Sequence, residues 1–199
     1  MTLATTPLDR FSVISTGSGP ARALSALFGA PLRSDAHLAY SDETPCQRSL
    51  WAARMDSAIL HAERPVLLVA NGASCFAATW WARLSPRDYI NRVAGALLID
   101  PMAGEGDAAH FASPKIRLPF PSLLLTGETP DAAVAERVQA LATGWGSAVG
   151  GMPQLPHARR SGSHWQGARE LVLRMTAGIV ERRAQAADAL AAVLAPSED

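Results

Sequence analysis

Apolar residues in this chain fall into short unbroken runs separated by longer stretches of mixed polarity. Val66–Ala70, Val93–Ile99 and Leu123–Leu125 are the clearest runs, each bounded by small or polar residues. Runs of this length predict strands buried on both faces, the signature of a parallel sheet. Phe11–Thr16 predicts a first strand and Ala36–Tyr40 a short second one. Ser122–Thr126 frames the leucine run, and Ser147–Leu155 holds a short edge strand weakened by Gly150-Gly151.

Helical stretches fill the intervals. An Ala-rich segment from about Ala21 to Phe28 follows the first strand, and a longer helix runs from Pro45 to about His61 with Leu50, Met55, Ile59 and Leu60 among small residues. Asp42 and Glu43, just before it, suit the positive end of a helix dipole. Cys75–Ala82 reads as a helix that Ser85-Pro86 ends. Thr129-Pro130-Asp131 opens another, with Thr as cap, Pro in the first turn and an acid beside it, reaching about Trp145. Gln166–Ala195 is a long final helix whose buried stripe is Leu171, Met175, Ile179, Leu190 and Val193. Strand and helix alternate. The expected fold is therefore α/β in three layers (α/β/α), with a mostly parallel sheet of about six strands. Residues 1–10 read as a loose tail and 11–195 as one domain. Met102–Pro119, containing His110 and Phe111, is a polar loop long enough for a lid or a site wall.

Composition narrows the classes. At 199 residues and 48% apolar content the chain suits one well-buried domain, and its formal net charge is zero. Lys115 is its only lysine, and the arginines are scattered without a basic stripe, which argues against a nucleic-acid partner. Cys46 and Cys75 have neither metal-ligand nor disulfide-framework spacing, so no metal and no cofactor is expected. Met1–Arg10 has no charged leader before an apolar core, and no run approaches membrane-spanning length. The expectation is a cytoplasmic protein without a membrane partner.

Candidate chemistry centres on Pro65–Leu84, PVLLVANGASCFAATWWARL. Strand, tight turn of small residues, helix is the layout of a nucleophile elbow, where one side chain stands on a strained turn above a parallel sheet. Small residues are needed two places before and two places after that side chain. One register, Ala70-Asn71-Gly72-Ala73-Ser74, is small at both ends and puts Gly72 in the nucleophile seat. The other, Gly72-Ala73-Ser74-Cys75-Phe76, seats Ser74 but places Phe76 where a small residue is required. Packing favours the first, and glycine is the residue best able to hold the positive φ of such a turn. Ser74 is the one hydroxyl near enough to replace a missing nucleophile; it also reads as a small residue packing on the first strand or capping the helix. Gly17-Ser18-Gly19 after the first strand invites a nucleotide-binding reading, but Pro20 and Arg22 break the dinucleotide pattern. The plainer reading is a loop whose backbone amides face a cleft.

These residues resemble the small single-domain serine hydrolases of the α/β-hydrolase fold, the group related to retinoblastoma-binding protein 9. The likeness spans about Phe11 to Arg174. It is carried by Gly17-Ser18-Gly19-Pro20, Trp51, Leu68-Val69-Ala70, Cys75, Leu118-Pro119-Phe120-Pro121-Ser122 and Trp145-Gly146-Ser147. The resemblance implies a minimal α/β-hydrolase domain without a large cap, and an ester or other small molecule, or a protein partner, in the cleft. The family's elbow reads Val-Ala-His-Ser-Leu-Gly-Cys, against Val69-Ala70-Asn71-Gly72-Ala73-Ser74-Cys75 here, so its serine position is Gly72. Its acid lies in an Asp-Asp-Pro segment, which here reads Glu128-Thr129-Pro130; Thr129 replaces the aspartate and Glu128 is a displaced candidate. Its histidine corresponds to His157.

A serine hydrolase needs a nucleophile, an imidazole base, a carboxylate to orient it, and amides aimed at the oxyanion. The amides can come from Ala73 and from the Thr16-Gly17 end of the first strand, with Asn71 lining the turn. His157 can serve as base. Asp100, at the end of the strand after the elbow strand, can orient it, or can simply form the turn before Pro101. Three expectations follow: a hydrolase-fold protein with lost or much weakened activity; an active esterase using Ser74, His157 and Asp100 or Glu128; or a nucleotide- or ligand-binding module using Gly17–Gly19.

Overall fold

A computed structural model describes residues 10–17, 34–40, 44–101, 116–126 and 132–151. The elements are β1 (Ser12–Thr16), β2 (Ala36–Leu38), α1 (Pro45–His61), β3 (Val66–Asn71), α2 (Ser74–Leu84), α3 (Arg87–Ile90), β4 (Val93–Ile99), β5 (Ser122–Thr126), α4 (Ala132–Trp145) and β6 (Ala148–Gly151). The expected helices at 21–28 and 166–195, the tail at 1–9, most of the loop after Pro101, and Glu128, Thr129 and His157 lie outside the described residues.

The six strands form one sheet in the order β2-β1-β3-β4-β5-β6. Every neighbouring pair is parallel. The chain leaves β1 toward β2 on one side and returns to β3 on the other, so strand order reverses between β1 and β3. Ligand crevices of open α/β sheets form outside the carboxyl ends of strands at such a reversal. Register sets what meets there: Thr16 pairs with Ala70, and Asn71 with Ile99.

β3, β4 and β5 are apolar on both faces because both faces are covered; each is buried along nearly its whole length. α1 presents Trp51, Met55 and Ile59, a four-residue repeat, to one face of the sheet. Its N-terminus falls at Pro45, as the sequence suggests; Asp42 and Glu43 lie outside the described residues. Thr44 is the cap, Gln47 closes a capping box with it, Pro45 opens the first turn, and that turn carries no acid. Its other end is held by Arg92, whose guanidinium donates to the carbonyls of Ile59 (2.9 Å) and Ala62. α2 lies alongside, with Trp81 Nε1 donating to Asp56 Oδ1 at 2.7 Å. Trp51, Trp81 and Trp145 are all buried, and Phe76 of α2 meets Trp145 edge-on at 5.5 Å.

The Trp-Gly-Ser turn closes α4. Gly146 has φ +67°, and the Ser147 N–H reaches back to Ala142 O at 2.9 Å, a left-handed helix ending that favours glycine. Ser85-Pro86 ends α2 as expected, and the short α3 that follows it has no apolar pattern of its own to announce it. β2 stops at Leu38, two residues earlier than the apolar pattern suggests.

Candidate functional site

The site is assembled where β3 turns into α2. Gly72 follows the last residue of β3 at φ +62°, and Ala73 is already helical at φ −56°, ψ −31°. The Gly72 N–H donates to Ile99 O at 2.9 Å, and Gly72 O accepts from Cys75 N–H at 3.0 Å. The turn is thus tied to the neighbouring strand on one side and to the new helix on the other. A Cβ placed on Gly72 would meet nothing within 4 Å among the described residues. The seat at the top of the elbow opens outward, and its left-handed backbone is what glycine adopts without strain.

Ser74 faces the other way. It is 1% exposed. Its Oγ accepts the Asn71 N–H at 3.0 Å. Its single proton has two carbonyl acceptors, Asn71 O at 2.8 Å and Thr16 O at 3.0 Å. The hydroxyl staples the end of β1 to the elbow and accepts the last amide of the elbow strand.

The same close approach explains Gly17. Its φ is +126°, and a Cβ there would lie 2.8 Å from Asn71 O and 3.1 Å from Ser74 Oγ. Real Cβ atoms do not come that close to a backbone oxygen, so the first glycine of the loop is required by contact with the elbow. Thr16, one residue earlier, is buried, and its Oγ1 accepts the indole N–H of Trp51 at 3.0 Å. Tyr40 packs edge-on against that indole at 5.4 Å.

Asp100 follows β4 beside the turn, as Asn71 pairs with Ile99. It is the one described non-glycine residue at positive φ, +44°, and its N–H donates to Leu125 O at 2.8 Å. Aspartate tolerates this region better than most residues, but the conformation still carries strain. Its carboxylate is close enough to act on Cys75. Burial, above all, pushes the Cys75 thiol far up; a backbone hydrogen bond with Ile99 opposes that and the Asp100 charge adds to it. The Cys75 Sγ donates to Ala70 O and Ile99 O inside the core, so this sulfur is a packing group.

Among the described residues the Ala73 N–H meets no acceptor. It stands in the first turn of α2, whose amides and dipole favour developing negative charge. Thr16, Gly17, Asn71, Gly72, Ala73, Ser74 and Asp100 therefore share the carboxyl edge of three adjacent strands. His157 and Glu128 are outside the described residues. The Trp51–Thr16 bond, linking positions 35 residues apart, has no counterpart in the sequence reading. Among the described residues no cluster of three or more His, Cys, Asp or Glu is arranged to hold a metal, and no helix is long and apolar enough to cross a membrane.

A family model described as serine hydrolase matches residues 29–175. No curated protein sequence matches the chain. Among solved structures, the fold is similar to that of a YdeN-like hydrolase from Pectobacterium atrosepticum, with a TM-score of 0.53, 13% identity, and coverage of 86% of this chain and 94% of that one. At that identity the likeness bears on fold alone.

Proposed function

The chain belongs to the serine hydrolase family, and we propose that it is a member whose ester hydrolysis is lost or much weakened, with the cleft kept for a small ligand or a partner. One observation carries the reading. The position that presents the nucleophile in a strand-turn-helix elbow is a glycine, Gly72, at φ +62° with no described residue within 4 Å of where its Cβ would stand. The hydroxyl nearest that seat along the turn, Ser74, has its proton and one lone pair engaged inside the protein. Acyl transfer needs an oxygen that can approach a carbonyl carbon and pass its proton to an imidazole. Ser74 would have to break its staple to do so.

The oxyanion side of the machinery is retained in this reading, since the Ala73 amide and the β1 end remain where a carbonyl oxygen would sit. A cleft of this kind binds carbonyl or carboxylate groups without cleaving them. A second reading keeps activity through Ser74, His157 and Asp100 or Glu128. The strained backbone of Asp100 favours it, because such strain gathers at functional sites.

A fluorophosphonate probe, which phosphonylates activated serines, separates the two. The expected result is no labelling of the intact protein. Stoichiometric labelling mapped to Ser74 would overturn the proposal and establish the second reading.

A further inference from the structure

β1 ends on a threonine that packing alone does not ask for. Thr16 is buried, and valine, of nearly the same shape, would fill its space. What the hydroxyl adds is an acceptor for the Trp51 indole N–H at 3.0 Å. An indole nitrogen only donates, so a buried tryptophan needs such a partner. Trp51 is itself buried, and its ring meets Tyr40 edge-on at 5.4 Å. α1 joins the end of β2 to the start of β3 and so runs back from the carboxyl edge of the sheet. Trp51, in its second turn, therefore stands level with the end of β1.

The end of β1 has two further ties. The Thr16 carbonyl accepts from Ser74 Oγ at 3.0 Å. Gly17 comes so close to the elbow that a Cβ on it would lie 2.8 Å from Asn71 O. Both of these join β1 to the elbow. The Trp51 bond comes from a separate helix, 35 residues along the chain, and fixes the same residue from the flank of the sheet.

We propose that Trp51 is a positioning residue of the cleft: through Thr16 Oγ1 it holds the Thr16-Gly17 arm in place, so that this arm and the Ala73 amide serve one carbonyl oxygen. The inference rests on the reading of the cleft as a retained carbonyl-binding site. Donors to a developing oxyanion work at about 2.7–3.1 Å from it, and deleting one outright costs about 10²–10³ in kcat. Loosening one arm costs less, about tenfold, and it is felt in kcat because the charge that the arm meets develops in the transition state.

The test follows p-nitrophenyl ester turnover in wild type, or, where wild type shows none, in Gly72→Ser with Thr129→Asp. Thr16→Val keeps the shape and removes the acceptor, Thr16→Ser keeps the acceptor, and Trp51→Phe removes the donor while keeping a ring beside Tyr40. Thr16→Val and Trp51→Phe should each lower kcat about tenfold with KM unchanged, while Thr16→Ser stays within about twofold of its parent. Trp51→Phe combined with Thr16→Val should be no slower than the slower single variant, because both remove one bond. If Trp51→Phe does not fold, the two Thr16 variants decide. Full kcat in Thr16→Val, an equal loss in Thr16→Ser, or additive losses in the combined variant would each overturn the inference. Where neither background turns over ester, the ¹⁵N order parameter of Gly17 decides. It should be about 0.85 in wild type and Thr16→Ser and fall toward about 0.6 in Thr16→Val; an unchanged value overturns the inference. The parent's turnover tests the lost nucleophile and the contrast between Thr16 variants tests the arm, so the two proposals fail separately.

Discussion

Two hydroxyl-sized questions decide the chemistry at the scale of single residues: what stands at position 72, and what Ser74 does. Ser74 serves as a staple, so its removal should be felt in stability. Ser74→Ala leaves the Asn71 N–H without its acceptor, and an unsatisfied, partly buried donor costs about 1–3 kcal/mol. Urea denaturation should show that loss. Catalysis by Ser74 would instead appear as an ester turnover in wild type that vanishes in this variant. Gly17→Ala should be worse than an ordinary glycine substitution, because the new methyl meets backbone Asn71 O at 2.8 Å as well as sitting at positive φ. Cys75 gives a third expectation. Its thiol stays protonated in the folded chain while an unfolded thiol ionises near pH 8.5. The unfolded state then binds fewer protons above that pH, so this group's contribution to stability is intact below pH ~8.5 and falls above it, by at most about 1.4 kcal/mol per pH unit. Comparing denaturation at pH 7.5 and 9.5 in wild type and Cys75→Ala isolates the effect, and iodoacetamide should modify exposed Cys46 while sparing Cys75. The sequence pointed to Gly72 because packing around the turn demanded small residues. The alternative for Ser74 stayed open because its partner, Thr16 O, is 58 residues away, and no local pattern encodes a contact of that range.

Elements were legible in proportion to how fully they are buried. β4 and β5 have the bounds the apolar runs give, since strands covered on both faces leave no ambiguity about where the run stops. α1 was placed by Pro45 and by Leu50, Met55, Ile59 and Leu60 among small residues; Met55 and Ile59 are buried, but Leu50 and Leu60 are exposed, and Trp51 completes the buried face instead. α3 went unseen because its four residues are too few to show a helical period. Packing between helices yields a prediction at this scale. Trp81 fills the space between α1 and α2 and donates its indole proton to Asp56 at 2.7 Å. Trp81→Ala should cost about 3–5 kcal/mol, the usual range for a large core aromatic. Trp81→Phe should cost less, since most of the packing survives and the lost bond strands only the partly solvated Asp56. A loss under about 1 kcal/mol for Trp81→Ala in chemical denaturation would mean that α2 is not held by this contact.

Across the whole molecule, the parallel register brings residues from 16 to 100 together at one edge. Thr16, Asn71 and Asp100 terminate three neighbouring strands, so a cleft follows from topology whatever chemistry it performs. This gives the proposed loss of activity a constructive test. Gly72→Ser would place a hydroxyl beside the Ala73 amide, and with no described atom within 4 Å of the new Cβ the main penalty is backbone strain, about 1–3 kcal/mol. The variant should fold and be slightly destabilised. By the family resemblance its acid position is Thr129, and an imidazole lacking its orienting carboxylate loses on the order of 10⁴ in turnover. Gly72→Ser alone should therefore hydrolyse activated esters weakly at best. Thr129→Asp should raise turnover far more in the Gly72→Ser background than in wild type, because triad members act as a unit and their effects do not add. p-Nitrophenyl ester turnover of wild type, both single variants and the double variant reads this out. A wild type as fast as the double variant would make the chain a competent hydrolase and sink the proposal. Full activity from Gly72→Ser alone would mean that a carboxylate already present, Asp100 on its strained turn or Glu128, still orients His157, and that the nucleophile is the one part this chain has given up.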